Sequence, residues 1–235
     1  MLPYRRGAPD AGTALARARF SYHVQFGNNA MKRLHFFAYL PLALVLAGCS
    51  GTPQKAEVKE PPKPPEPIGA QSAVRAMWIQ ARAWSPDALP LRVTSMNLKE
   101  IPSAGGKAGG WDATFVSESL RRTRRYTYGV ADVPSANLRK GVFAGPIDSW
   151  TNGREKPIAI QALKTDTTDA LKVALEKGGA DYAKKHPGMP VAFLLESTSQ
   201  FRNPTWRVIW GDSISTSNFS VFVDVTTGEF LKIAH

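Results

Sequence analysis

Thr205-Trp-Arg-Val-Ile-Trp-Gly211, with Phe219-Ser-Val-Phe-Val-Asp-Val225 and Thr226-Thr-Gly-Glu-Phe-Leu-Lys-Ile233 behind it, sets the architecture of this chain. Trp206, Val208 and Trp210 recur at every second residue, as do Phe219, Val221, Val223 and Val225. A period of two places such residues on one face of a β-strand, against a core. Thr226 to Glu229 is a turn signal, and Phe230 to Ile233 is expected to pair back as a short last strand. Upstream, residues 190–198 read as another strand. His186-Pro187-Gly188 is a break before it.

Further back the period changes to that of a helix. Asp166 is a suitable N-cap, with Asp169 three residues on. Leu171, Ala174, Leu175 and Gly178 share a face, Gly178-Gly179 ends or kinks the helix, and Ala180 to Lys185 can resume it. Pro157 to Lys164 suggests a strand. Residues 134–156 are loop-rich, with a short strand near 141–147. Before them, Trp111 to Ser117 and Arg125 to Asp132 read as antiparallel partners behind the flexible loop Gly105–Gly110. A strand at about 90–99 precedes that loop. A helix over 70–84 comes first, with Val74, Met77, Trp78 and Ala81 on one face, stopped by Ser85-Pro86.

Helix followed by three strands therefore occurs twice. Trp111-Asp-Ala-Thr-Phe-Val aligns with Trp206-Arg-Val-Ile-Trp-Gly, and Tyr126–Asp132 with Phe219–Asp224. The expected fold is α+β: two helix-on-antiparallel-sheet repeats, residues 70–156 and 157–235, packed into one globular unit after a disordered N-terminal segment. Chance similarity between two α+β segments is the alternative. The second copy resembles PepSY-like domains, through Asp169-Ala170-Leu171, Trp206-Arg207-Val208 and the ending Val223-Asp-Val-Thr-Thr-Gly-Glu229. The first copy has Val133-Pro-Ser-Ala-Asn137 where that turn would stand. The resemblance implies a helix packed across an antiparallel sheet in a small exported module. Such modules bind or inhibit peptidases and have no active site of their own.

The N-terminal part has a different character. Met31-Lys32-Arg33 is a positive start, and Phe36 to Val45 is an apolar run of ten residues. A bilayer span needs about 20 residues, so the run suits a signal peptide instead. Leu46-Ala47-Gly48-Cys49 follows directly and is similar to the bacterial lipoprotein signal, whose commonest form is Leu-Ala-Gly-Cys. The similarity implies cleavage before Cys49 and lipid attachment to its thiol. Residues 31–48 are then the signal peptide. Residues 1–30 precede it with no apolar period, and are expected to be a non-native or extended N-terminus, with translation starting at Met31. Residues 49–69 are a linker dominated by Pro, Lys and Glu. An extended, polyproline-like chain of that length reaches about 60 Å from a membrane at about 3.1 Å per residue. Ser50 follows the cysteine where Asp would retain a lipoprotein at the inner membrane. By resemblance this implies the outer membrane, with the protein facing the periplasm.

Charge and residue types narrow the function. The formal net charge is +11, but Arg5, Arg6, Arg17, Arg19, Lys32 and Arg33 lie before Cys49, against Asp10 alone. The remainder is moderately basic, and an exported protein seldom meets nucleic acid, so no nucleic-acid partner is expected. Cys49 is the only cysteine, which excludes a disulfide. After Cys49 the histidines are His186, in the Pro-Gly break, and the terminal His235. No Gly-x-Ser-x-Gly, His-Glu-x-x-His or cysteine pair occurs. We therefore expect no enzyme, no catalytic or metal-ligating residue and no cofactor. Asp224 with Glu229 brackets a turn, where carboxylates bond backbone N–H groups; a cation site there is the less favoured reading.

Binding candidates remain. Arg121, Arg122, Arg124 and Arg125 form the densest basic cluster, with Tyr126 and Tyr128 beside them. Such a group can grip lipid head groups or an anionic glycan; a solvated hairpin turn is the plainer alternative. Trp150 lies in an expected loop, as a recognition anchor or a cap on the core. Trp78, Trp111 and Trp206 read as packing. The expectation is a lipid-anchored envelope protein that binds or inhibits an envelope protein or an anionic envelope polymer, through its sheet face or the loops Gly105–Gly110 and Asn137–Gly153. A structural or assembly factor of an envelope complex is the alternative, and an envelope hydrolase comes behind both.

Overall fold

Gly69 turns the chain into the first helix, α1 (Ala70–Trp84). The computed structural model describes residues 63–151, 153 and 155–235, so the expected signal segment, Cys49 and most of the linker lie outside the described residues. Ala70, Ala73, Val74, Met77 and Ala81 form the buried face of α1, and the extended conformation of Ser85 ends it. Gly69 carries no capping side chain. Instead the N–H of Gln71 donates to Asp166 Oδ1 at 3.0 Å and that of Ala70 to Thr167 Oγ1 at 3.2 Å. A Cβ at Gly69 would stand 2.1 Å from Asp166 Oδ2, so only glycine admits that carboxylate.

Three strands follow: β1 (Leu89–Met96), β2 (Gly110–Ser117) and β3 (Arg122–Gly129). The nine-residue β4 (Gly141–Ser149) comes next. The second helix, α2 (Thr167–Ala174), starts at Asp166, whose side chain accepts from the Thr167 N–H. A wide turn at Leu175–Gly179, with Gly178 at φ 100°, joins it to α3 (Ala180–Lys185), as the Gly-Gly pair leads one to expect. The last four strands are β5 (Val191–Glu196), β6 (Thr205–Trp210), β7 (Phe219–Asp224) and β8 (Phe230–Ala234).

These strands correct the expected fold class. They make one continuous antiparallel sheet in the order β4-β3-β2-β1-β5-β6-β7-β8, not two helix-on-sheet repeats. The pairing that overturns the expectation is β1 with β5, with Arg92 opposite Glu196, Val93 opposite Leu195 and Thr94 opposite Leu194. The protein is mostly β, with the helices laid on one face of a single eight-stranded sheet. The described residues belong to one compact unit. Two smaller expectations also change. The suggested strand over Pro157–Lys164 is instead an extended stretch that buries Ile158, followed by a 3-10 turn at Ile160–Ala162. β4 is longer than expected because pairing to β3 fixes it, not an apolar period of its own.

One core lies between sheet and helices. Trp111, Phe115, Tyr126, Phe193, Leu195, Trp206, Val208 and Trp210 meet Met77, Val74, Ala170 and Ala174 there. Each large aromatic buries 150–250 Å² of surface, roughly 4–6 kcal/mol at 25 cal/mol per Å². The indole N–H groups keep their hydrogen bonds inside. Trp111 donates to the Ile68 carbonyl at 3.2 Å and Trp206 to the Thr165 carbonyl at 2.9 Å, each just ahead of a helix. Among the described residues no helix is long and apolar enough to cross a membrane.

Candidate binding surface

Strand alternation gives the sheet a second face, which no helix of the described residues covers. Rows of side chains cross it. One row runs Lys232, Phe222, Arg207, Leu194, Thr94, Asp112, Thr127 and Phe143 through all eight strands. Its middle carries a small buried apolar cluster, Ala192, Leu194 and Ile209. Charged side chains surround this cluster. Arg92 bonds Glu155 at 3.0 Å, and Arg207 donates to Ser220 Oγ at 2.9 Å while lying over the Phe222 ring. Burial raises the Glu196 carboxyl above its usual range, although Arg207 and Arg92 oppose this. Burial likewise raises Asp112, against the pull of its ion-pair partner Arg125.

One corner of this surface is concave, where β3 and the edge strand β4 meet the loop before β4. A groove of about 430 Å³ there is lined by Met96, Arg125, Thr127, Asn137, Arg139 and Phe143. The Arg139 guanidinium lies 5.9 Å from the centre of the Phe143 ring. On the helix face of the same corner is a second groove, of about 330 Å³, lined by Ala83, Trp84, Arg124, Tyr126, Val142 and Ala144. β4 therefore has a groove on each side of the sheet. Its own surface is mostly exposed, with Phe143 and Ile147 the large apolar side chains.

The residues singled out in the sequence take different places here. The four arginines do not make one patch, because β3 sends alternate side chains to opposite faces. Arg121 sits in the β2–β3 turn in the left-handed region, at φ 51°. Arg122 donates to Ser149 Oγ at 3.0 Å. Arg124 points to the helix face, donates to the Gly145 carbonyl at 3.1 Å and lies over the Tyr126 ring. Arg125 points to the open face and pairs with Asp112. Tyr126 is 1% exposed, packed edge-on against Phe115. It is a core residue under α1 that only edges the helix-face groove, and its hydroxyl has no hydrogen-bond partner among the described residues. Burial raises that hydroxyl above the usual phenol range, against the nearby Arg124. Tyr128 is half-buried and packs on the core. Trp150 is half-buried just past β4, and its backbone N–H donates to the Arg121 carbonyl at 3.0 Å.

Asp224 behaves as a turn residue. Its Oδ1 accepts from the N–H groups of Thr226 and Thr227 at 2.7 and 2.9 Å, and its Oδ2 from Asn203 Nδ2 at 3.0 Å. His186 stacks on Tyr182 at 4.3 Å between ring centres, and His235 lies near Phe219. The sequence reading missed Arg139 and Phe143. Arg139 stands apart from the arginine run, and a single Phe in a loop-rich stretch gives no periodic signal. The Gly105–Gly106 loop borders a separate cleft of about 390 Å³ floored by Leu171, Met189 and Phe193.

Comparison with known proteins adds little identity. No family model matches the chain, PepSY-like models included, and no curated protein matches it. Among solved structures, the chain is similar to the crystal structure of a candidate lipoprotein from Clostridium difficile 630. The identity is 10%, the TM-score is 0.44, and the match covers 68% of this chain and 91% of that one.

Proposed function

We propose that this protein is a lipid-anchored envelope lipoprotein, attached through Cys49 to the outer membrane and facing the periplasm, that binds a partner and has no enzymatic activity of its own. The anchor rests on Leu46-Ala47-Gly48-Cys49 placed after Lys32-Arg33 and the apolar run Phe36–Val45. The binding site is the β3–β4 corner. One observation carries that choice: an exposed edge strand lies between two grooves, each with an arginine in its wall. Guanidinium groups beside aromatic rings suit an anionic or planar partner. Exposed apolar side chains next to them suit a macromolecule more than a small ion.

The test is site-directed photocrosslinking of the anchored protein in intact cells. A photoreactive residue replaces Phe143 at the corner or Ile79, which is 61% exposed on α1. Adducts from Phe143 and none from Ile79 support the corner as the binding site. Adducts from Ile79 alone, or from neither position, overturn it.

A further inference from the structure

Resting on that reading, we infer that β4 is a docking edge for an extended partner polypeptide with alternating acidic and apolar residues, which adds to the sheet as a ninth strand. An edge strand presents a row of backbone N–H and C=O groups away from its one neighbour, and among the described residues β4 pairs with β3 alone. In strand addition those groups supply affinity, while pockets for alternate side chains supply specificity. The corner has such pockets on both faces. A strand laid along β4 sends one set of side chains toward the open-face groove, where Arg139, Asn137 and Thr127 favour carboxylates and Arg125 is already paired with Asp112. It sends the other set toward the helix-face groove, where Ala83, Trp84, Val142 and Ala144 favour apolar groups. The Arg124 guanidinium in that second groove is already engaged with the Gly145 carbonyl.

The other occupants fit poorly. The chain's own linker carries Pro53, Pro61, Pro62, Pro64, Pro65 and Pro67, and proline has no N–H to give to a ladder. A second copy pairing antiparallel over Gly141–Ala144 would set Arg139 and Lys140 of each copy opposite Pro146 and Gly145 of the other, with no carboxylate facing either. Asp148 is the sole carboxylate β4 itself offers in return. Pro146 and the irregular pairing between Arg124 and Tyr126 shield the far half of the edge, as natural edges are shielded against self-association. Gly141–Ala144 is left as the uninterrupted stretch.

Calorimetric titration of the full chain tests this with a peptide of alternating Glu and Val, matched in length to β4. Two versions carry N-methyl groups on alternate residues, one set on the Glu positions and one on the Val positions; a third has Lys in place of Glu. Strand addition predicts that the parent peptide binds. It also predicts that one N-methylated version loses about tenfold in affinity or more, as the loss of one or two main-chain hydrogen bonds implies, while the other keeps it. The Lys version should not bind. Equal binding of both N-methylated versions and the parent overturns strand addition, as does full competition by dextran sulfate with binding of the Lys version. Absence of binding by the parent peptide also overturns it. None of these results touches crosslinking at Phe143, so the two proposals fail separately.

Discussion

Asp166 reaches ninety-five residues back along the chain to cap the helix that contains Gln71, accepting its N–H at 3.0 Å while the same oxygen accepts from Thr167 at 2.8 Å. One carboxylate thus serves the N-termini of α1 and α2, where both helix dipoles favour negative charge. Losing an N-cap costs about 1 kcal/mol for one helix. Asp166→Ala should therefore destabilise the protein by about 2 kcal/mol, and Asp166→Asn, which keeps an acceptor, by less. Urea unfolding of the three proteins checks this. Equal stability of Asp166→Ala and the parent would remove the shared cap from the account.

Trp206 anchors the start of α2 from the sheet, through its indole N–H to the Thr165 carbonyl. Trp206→Phe keeps an aromatic ring but loses that bond and some volume. The expected cost is about 2–4 kcal/mol. Trp150→Phe, at a half-buried position outside the core, should stay within about 0.5 kcal/mol. Similar losses at the two positions would contradict the placement of the core.

Asp87 gives a pH signature. Its carboxylate accepts from Ser85 Oγ at 2.6 Å, Ser117 Oγ at 2.7 Å and the Ser119 N–H at 2.9 Å. These bonds hold its pKa well below the ordinary carboxylate value, with Ser85 the largest cause. A pKa lowered on folding stabilises the native state above the unfolded-chain value, near 4, and the gain fades as pH falls below it. The melting-temperature gap between the parent and Asp87→Asn should hold at neutral pH and shrink as pH falls below about 4. A gap that is constant with pH would show that the carboxylate charge contributes nothing.

Attachment has its own test. Cys49→Ser removes the thiol that would carry lipid, so the protein should move from the membrane pellet to the soluble periplasmic fraction. Unchanged sedimentation with membranes would end the case for a lipid anchor at Cys49.

The secondary structure was largely legible in the sequence, and the way it assembles was not. Period-two runs at Trp206–Trp210 and Phe219–Val225, the Asp166 cap and the Gly178-Gly179 break all point to elements that form. β1 and β5 look alike whether they are edges of two sheets or neighbours in one, because the pairing of Val93 with Leu195 needs only apolar residues. The choice between the two lies in three-dimensional packing, which a repeat pattern does not encode. The candidate site was less legible still. Four arginines adjacent in sequence read as a patch, but on a strand they divide between faces. Tyr126 reads as a surface contact and is core. Arg139 and Phe143, distant from the run, become its neighbours because β4 folds back on β3.

Crosslinking at the corner in an Arg139→Glu background asks whether the β3–β4 corner is the binding site. Arg139 is exposed and pairs with no carboxylate among the described ion pairs, so the fold should tolerate the change, which thermal melting verifies. If the corner binds an acidic partner, adducts from a photoreactive residue at position 143 fall several-fold while the melting temperature holds. Adduct yield equal to that of the parent, with the protein folded and anchored, would show that Arg139 holds no acidic partner at the corner.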